Sequence, residues 1–467
     1  MIGLGVFTMV ADNTGMVVAL PTMASEFGVS MPVIQWVVVG YSLAITVLLL
    51  PMGRLGDIAG RKQVYISGFC IFIVAGFAAG LAPSVELLIV FKIGQGIGSA
   101  MTQGTAMAMV ISAFPKEERG KALGVQMSLV GVGGIAGPAF AGFLIASFGW
   151  PSILYTTSSM GILAAIAGIF VLNKPPRIEE SYHFDWLGAG LSAFTLIGFH
   201  SALLVGPLFG WSSVPLITSL AFFTICIGIF IFWESNTQTP MISLNLFKDR
   251  IFVGSAVARY TSFLAMSSIR YLMPFYLQWI LGIATRNVGL ILVPSAICMI
   301  LVGPLSGRLA DSYGWKKLCL IGLTIMLFGL GLGSQLGLSS NILIPIMVMI
   351  LLGLGLGVFN PPNGSAILSR ADPANYGVVS SFTNLMRNSG NVTGITVATA
   401  IVSARMTYLG YDSGLAAPNG LIGDSTARIA FLSGLELSSI AVGLTVLLGF
   451  LLVTFFTSTS TTLSRQP

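Results

Sequence analysis

Apolar runs of about 20 residues follow one another along almost the whole chain, separated by short polar turns, and each is long enough to cross a hydrocarbon core of about 30 Å as a helix. Counting them predicts fourteen spans. The first runs roughly from Ile2 to Pro21 and the second from Pro32 to Gly53; the fourth, from near Val85 to Phe114, carries Lys92, Gln95 and Gln103. The fifth contains Gly131, Gly133, Gly134, Gly137, Pro138 and Gly142, a small-xxx-small pattern suited to close helix packing, with a kink expected at Pro138. Adjacent prolines at Pro175–Pro176 mark a linker after the sixth span, since they cannot continue a helix. Spans 7 and 8 follow, roughly Trp186 to Pro207 and Val214 to Trp233, and span 9 runs from Phe252 to about Leu281. A break is expected in span 12 at Asn360-Pro361-Pro362-Asn363; span 13 carries Arg387 and span 14 carries Glu436.

The polar turns repeat. Gly53-Arg-Leu-Gly-Asp57-Ile-Ala-Gly60-Arg61-Lys62 returns from Gly307 as Gly-Arg-Leu-Ala-Asp311-Ser-Tyr-Gly314-Trp-Lys-Lys, at an offset of 254 residues. A single copy reads better as a solvated turn. Two copies, one after span 2 and one after span 10, point to two related halves in a membrane protein. The organisation expected is a six-helix bundle over 1–173, a linker with two inserted helices over 174–250, and a second six-helix bundle over 251–467. Glycines let the chain reverse tightly, and each aspartate can face a helix N-terminus on a closed inner surface. Asp57 and Asp311 are therefore expected to set a conformational equilibrium rather than to bind substrate.

Composition changes the picture only by removing alternatives. The charged fraction is 8% against 55% hydrophobic, so little chain is left for a soluble domain. The net charge of +6 does not indicate nucleic acid, because the basic residues lie on one side: fifteen fall in the even-numbered turns and the tail, and three, Arg286, Arg405 and Arg428, in the opposite loops. By the positive-inside rule both termini face the cytoplasm and the 403–428 loop faces outside. The four cysteines are scattered singly, with no metal or disulfide spacing. The N-terminal run has no basic leader region and carries Asp12, so it is read as span 1 rather than a cleaved leader, with room for a short preceding tail.

Charges inside the spans are the candidate chemistry, because each costs about 2.5–3.5 kcal/mol at mid-membrane and needs a partner or a function. Asp12 and Lys92 have depths that allow them to pair, either as a coupling site or as a static ion pair. Arg259 and Arg270 share one helical face with Ser262, Phe263 and Met266, and Arg270 is close enough to the outer end to snorkel. Arg387 is expected in a buried network with Asn384, Asn388 and Asn391, and Glu436 is a second carboxylate candidate. His200, alone among apolar residues, reads as a satisfied structural histidine. Two separate histidines assemble no catalytic constellation, so an enzyme is not expected. No Gly-x4-Gly-Lys-Ser/Thr loop occurs, which argues against direct use of ATP. No cofactor and no metal are expected.

These motifs resemble those of the major facilitator superfamily, and within it the fourteen-span drug:proton antiporters. Gly53 to Lys62 is similar to the superfamily's loop 2-3 motif, with Ile58 where a basic residue is usual. Asp12 to Pro21 resembles the span 1 signature, with Val17 where Asn is common; Lys92 with Gln95-Gly96 resembles the span 4 motif, with Lys in place of Arg. Gly133-xxx-Gly137-Pro138 is similar to the span 5 antiporter motif, with Ala141 replacing a Gly. The resemblance implies an all-α membrane protein and a monomeric, proton-coupled exporter of hydrophobic or amphipathic compounds in a prokaryotic inner membrane. Its cavity is expected between spans 1, 4, 9 and 12. Four basic residues against two acidic ones inside the spans keep open a transporter of an anionic metabolite. A non-transporting sensor would show an appended soluble domain, and none is visible.

Overall fold

The computed structural model describes residues 2–113, 119–171, 185–209, 213–237, 244–370, 376–411 and 425–456. Most of the expected outer loop, including Ser413, and the side chains of Asp57 and Asp311 lie outside what is described. Fourteen helices of at least 19 residues occur in the described chain. In the first half they are α1 (Ile2–Phe27), α2 (Trp36–Ala59), α3 (Arg61–Gly80), α4 (Val85–Ala113), α5 (Arg119–Phe148) and α6 (Pro151–Val171). α7 (Trp186–Phe209) and α8 (Val214–Asn236) follow. The second half holds α9 (Arg250–Phe275), α10 (Thr285–Tyr313), α11 (Trp315–Gly333), α12 (Leu343–Leu368), α13 (Tyr376–Tyr408) and α14 (Ser425–Phe456). Twelve of these are long and apolar enough to cross a membrane, and α9 and α13 are not among them. Those two helices carry Arg259, Arg270 and Arg387, and the expected count of fourteen spans rests on them.

Helices α1–α6 pack mainly on one another and α9–α14 likewise; α5 crosses to α10 and α2 to α13. α7 and α8 pair and lean on α2 and α13 through α7. The repeated turns have one conformation. Gly60 has φ +100° and Gly314 +86°, a region that only glycine enters without strain, and each donates its N–H back to its own helix, to Gly56 and Ala310. The lysines that follow do the same work in both halves. Lys62 donates to the Ile169 carbonyl at the end of α6 (2.7 Å), and Lys316, 254 positions later, donates to the Thr454 carbonyl near the end of α14 (3.0 Å). A cation at a helix C-terminus satisfies orphan carbonyls and opposes the macrodipole.

The break expected in α12 does not occur: the helix runs through Pro361 and Pro362 to Leu368. Pro362 has no N–H to offer the Val358 carbonyl, and Ser306 of α10 donates its hydroxyl to that carbonyl instead (2.5 Å). A neighbouring side chain thus replaces the missing rung.

One buried apolar cluster joins the halves at the loop end, through Met16–Ala24 of α1 and Phe263–Ile280 of α9 and its continuation, and runs on inside the second half as far as Val453 of α14. At the end bearing the charged turns the first half has its own cluster, around Val6, Tyr41, Tyr65 and Phe69. The second half has another there, around Phe252, Ala256, Ile367 and Phe382. The joined end is also latched by polar contacts. Gln278 donates to the Val18 carbonyl (3.3 Å) and accepts from Thr22 (3.4 Å), and Tyr271 donates to the Met31 carbonyl (3.4 Å). The described polar contacts across the seam lie at the loop end, and we read the charged-turn end, where each half has its own cluster, as the parted one.

Candidate functional site

Asp12 and Lys92 meet. Lys92 Nζ lies 2.7 Å from Asp12 Oδ2, with both side chains buried at 1% and 0% exposure. The rest of the shell comes from three other helical positions. Gln95, one turn along α4, accepts from Lys92 (2.5 Å) and donates to Asp12 Oδ1 (3.4 Å). Thr157 of α6 donates to Asp12 Oδ1 at 2.9 Å. The Tyr41 ring of α2 lies under the ammonium, 4.7 Å from centroid to Nζ, and its hydroxyl bonds Ser99 (2.8 Å). Charge-assisted hydrogen bonds to both partners are what make a buried ion pair tolerable. Thr157 was invisible in the sequence reading, because one hydroxyl in an apolar run carries no signal of its own.

The glycines of α5 set how closely this helix approaches its neighbours. A Cβ on Gly133 would stand 2.9 Å from the Phe7 carbonyl, and one on Gly137 would stand 2.1 Å from Thr14 Oγ1 and 2.7 Å from the Ala11 carbonyl. This face holds α1, and with it Asp12. Another face meets α10: a Cβ on Gly142 would be 2.8 Å from the Arg286 carbonyl, and one on Gly289 would be 2.1 Å from the Pro138 carbonyl. α5 is therefore packed tightly against its own half and across the seam. Gly53 of the first charged turn is part of a similar approach, with the Gly104 carbonyl 3.3 Å from where its Cβ would lie.

The remaining candidates are dispersed. Arg259 is 9% exposed, donates Nε to the Thr383 carbonyl (3.1 Å) and lies over the Phe263 ring (5.6 Å). Arg387 sits one turn beyond Thr383. Its expected network with Asn384, Asn388 and Asn391 is absent among the described residues: Asn388 Nδ2 has no partner, and Asn391 contributes its backbone carbonyl to Ser267 instead. Asn384 and Asn391, three and four residues from Arg387, share its side of α13, yet no hydrogen bond from either amide to the guanidinium is described. Glu436 is exposed on α14, as are Leu437 and Ile440, and no contact between it and Asp12 is described. His200 is buried and satisfied, with Nδ1 at the Leu196 carbonyl (2.9 Å) and Nε2 at Ser389 Oγ (3.2 Å).

Comparison with known proteins identifies the family and the fold. Residues 2–185 and 186–395 match the family model described as Major Facilitator Superfamily. The chain is 32% identical over 408 residues to the riboflavin transporter RibZ of Clostridioides difficile, covering 87% of this chain and 88% of that protein. It is 31% identical over 329 residues to the multidrug resistance protein Stp of Mycobacterium tuberculosis, covering 70% of this chain and 61% of the relative. With the multidrug transporter protein MdtP of Bacillus subtilis it shares 28% identity over 407 residues, 86% of this chain and 74% of that one. In fold it is similar to a bacterial homolog of the human lysosomal transporter Spinster in an inward-facing, unoccupied conformation. There the TM-score is 0.70 at 17% identity, over 97% of this chain and 96% of that one.

Proposed function

The chain belongs to the Major Facilitator Superfamily and is a multi-pass secondary transporter, and we propose that it exports hydrophobic or amphipathic organic compounds in exchange for protons. In this reading it is a fourteen-span drug:proton antiporter, monomeric, in a prokaryotic plasma membrane with both termini cytoplasmic. α9 and α13 cross the membrane with their arginines turned inward, and α7 and α8 are an insertion between two six-helix bundles. The parted end then faces the cytoplasm. Relatives named for riboflavin and for multidrug resistance support an organic small molecule as cargo.

The observation that carries the coupling is the buried Asp12–Lys92 pair, tied to three of the six helices of its half. While α1 and α4 stay together the carboxylate keeps its charge against the ammonium. Movement that separates them leaves a lone carboxylate in an apolar site, which takes up a proton. Protonation thus follows conformation, and a proton and a substrate act on one equilibrium. The repeated turns at the parted end, with Asp57 and Asp311, hold that end shut in the opposite state. Asp12→Asn mimics the protonated carboxylate permanently and cannot cycle. In liposomes with an imposed pH gradient, the wild type should concentrate tetraphenylphosphonium or fluorescein, and the Asn variant should fold and bind but fail to accumulate either. Accumulation by Asp12→Asn with unchanged pH dependence would refute the assignment.

A further inference from the structure

A second cluster of charge lies in the other half, and nothing in the coupling scheme uses it. Ser255 and Arg259 stand one turn apart on α9, facing α12 and α13. Arg259 is tied through Nε to the Thr383 carbonyl, and the space above its Nη1 is bordered by Gly364, which has no side chain to cover it. Arg387 follows one turn beyond Thr383 on the same helix, so the carbonyl that holds Arg259 also brings the second guanidinium to this region. Among the described residues neither guanidinium has a carboxylate within ion-pair distance; the ion pairs described are Asp12–Lys92 and the peripheral Asp249–Arg370. Two like charges in one region of the bundle, Arg259 buried and Arg387 partly buried, are unfavourable unless something of opposite sign joins them.

The neighbouring amides define what is missing more closely. Asn363 of α12 is fully buried and donates Nδ2 to the Ser255 carbonyl (3.0 Å), which fixes the orientation of its amide and leaves Oδ1 without a donor. Ser255 Oγ and Asn360 Oδ1 are also buried and unpartnered. At 100° per residue, Asn360 falls between Asn363 and Gly364 on the face of α12 that meets α9. The cluster therefore offers two cations and a fixed carbonyl acceptor. It lies about 14 Å along α9 from Arg250, next to the buried apolar cluster of Phe252 and Ala256 at the charged-turn end.

We propose that Arg259 and Arg387 form the subsite for the anionic group of the transported compound, and that Asn363 and Asn360 accept from a hydroxyl or N–H on the same molecule. The cargo class is then an amphipathic organic anion carrying a hydrogen-bond donor, held between α9, α12 and α13 while Asp12 and Lys92 cancel one another across the seam. A guanidinium gripping a carboxylate, sulfonate or phosphate forms charge-assisted bonds roughly twice as strong as neutral ones. The inference rests on the exporter reading but not on proton coupling, so its test is made at equilibrium without a gradient.

The measurement is saturation binding of fluorescein and of tetraphenylphosphonium to the purified full chain in phosphatidylcholine nanodiscs. Arg259→Gln and Arg387→Gln should each weaken fluorescein binding about tenfold or more, as expected when one charge-assisted contact is lost. Tetraphenylphosphonium affinity should be unchanged or improved, and Arg259→Lys should recover part of the loss. Unaltered fluorescein affinity in the folded double glutamine variant would overturn the proposal. Displacement of the probe by phosphatidylglycerol would also overturn it, by assigning the pair to a lipid headgroup. If the glutamine variants do not fold, the wild type decides: saturable fluorescein binding that benzoate competes supports the subsite, and absence of such binding removes it. Loss of pH-driven accumulation with anion binding intact would count against proton exchange alone.

Discussion

Lys92 sits with its ammonium between the Asp12 carboxylate and the Gln95 amide oxygen, over the face of Tyr41, with no water-exposed side. Such a pair contributes little net stability while whole, yet removing one member strands the other at a cost of about 3–5 kcal/mol. Lys92→Met should therefore lower the unfolding temperature of the purified protein clearly. The double variant Asp12→Asn/Lys92→Met should regain most of that loss, because both charges leave together. An equal loss in the double variant would show that Gln95 and Thr157, and not the charge pair, hold the site. Much of this geometry was legible in the sequence, since Asp12 and Lys92 are rare charges at compatible depth in two apolar runs. Thr157 was not, because hydroxyls that bond their own helix and hydroxyls that reach across look alike along a chain. Asn363 was equally silent: that its carbonyl is orphaned depends on α9 lying beside it.

The elements repeat what the residues begin. The charged turns were recognisable because a glycine at positive φ and a lysine reaching a helix C-terminus recur at one offset, in Gly60 with Gly314 and in Lys62 with Lys316. The Pro-Pro step of α12 misled because sequence shows the lost N–H but not the Ser306 hydroxyl that replaces it. The low hydropathy of α9 and α13 comes from Arg259, Arg270 and Arg387 together with the serines, threonines and asparagines that accompany them. α5 supplies the sharpest test at this scale. A side chain at Gly137 would meet the Thr14 hydroxyl and the Ala11 carbonyl at under 3 Å, and a backbone carbonyl cannot swing aside. Gly137→Leu should prise α1 from α5, destabilise by about 1–3 kcal/mol and reduce export at least tenfold, read from the initial rate and the unfolding midpoint. Gly134→Ala is the control, because its Cβ would meet only Ala296 at 4.0 Å, and it should transport nearly as the wild type does.

Across the whole molecule, an apolar cluster that bridges the halves at the loop end, with a separate cluster in each half at the charged-turn end, is what the proposed alternating cycle expects of one of its two states. For the cycle to complete, the joined end must part, and the contacts among Val18, Thr22 and Gln278 are among those that must break. In the proposed orientation, which follows from the concentration of basic residues in the even-numbered turns, this end lies outside the cell. Both claims meet in one experiment. In a chain with Cys70, Cys226, Cys298 and Cys319 replaced by serine, Thr22→Cys and Gln278→Cys place two thiols at side chains in contact across the seam. A short, membrane-impermeant bifunctional thiol reagent added to intact cells should join them and stop export, and a cleavable version should restore export on reduction. Reaction only after permeabilisation would reverse the orientation. Normal export by the cross-linked protein would mean that this end does not open, and the cycle would have to run through some other rearrangement of the two halves.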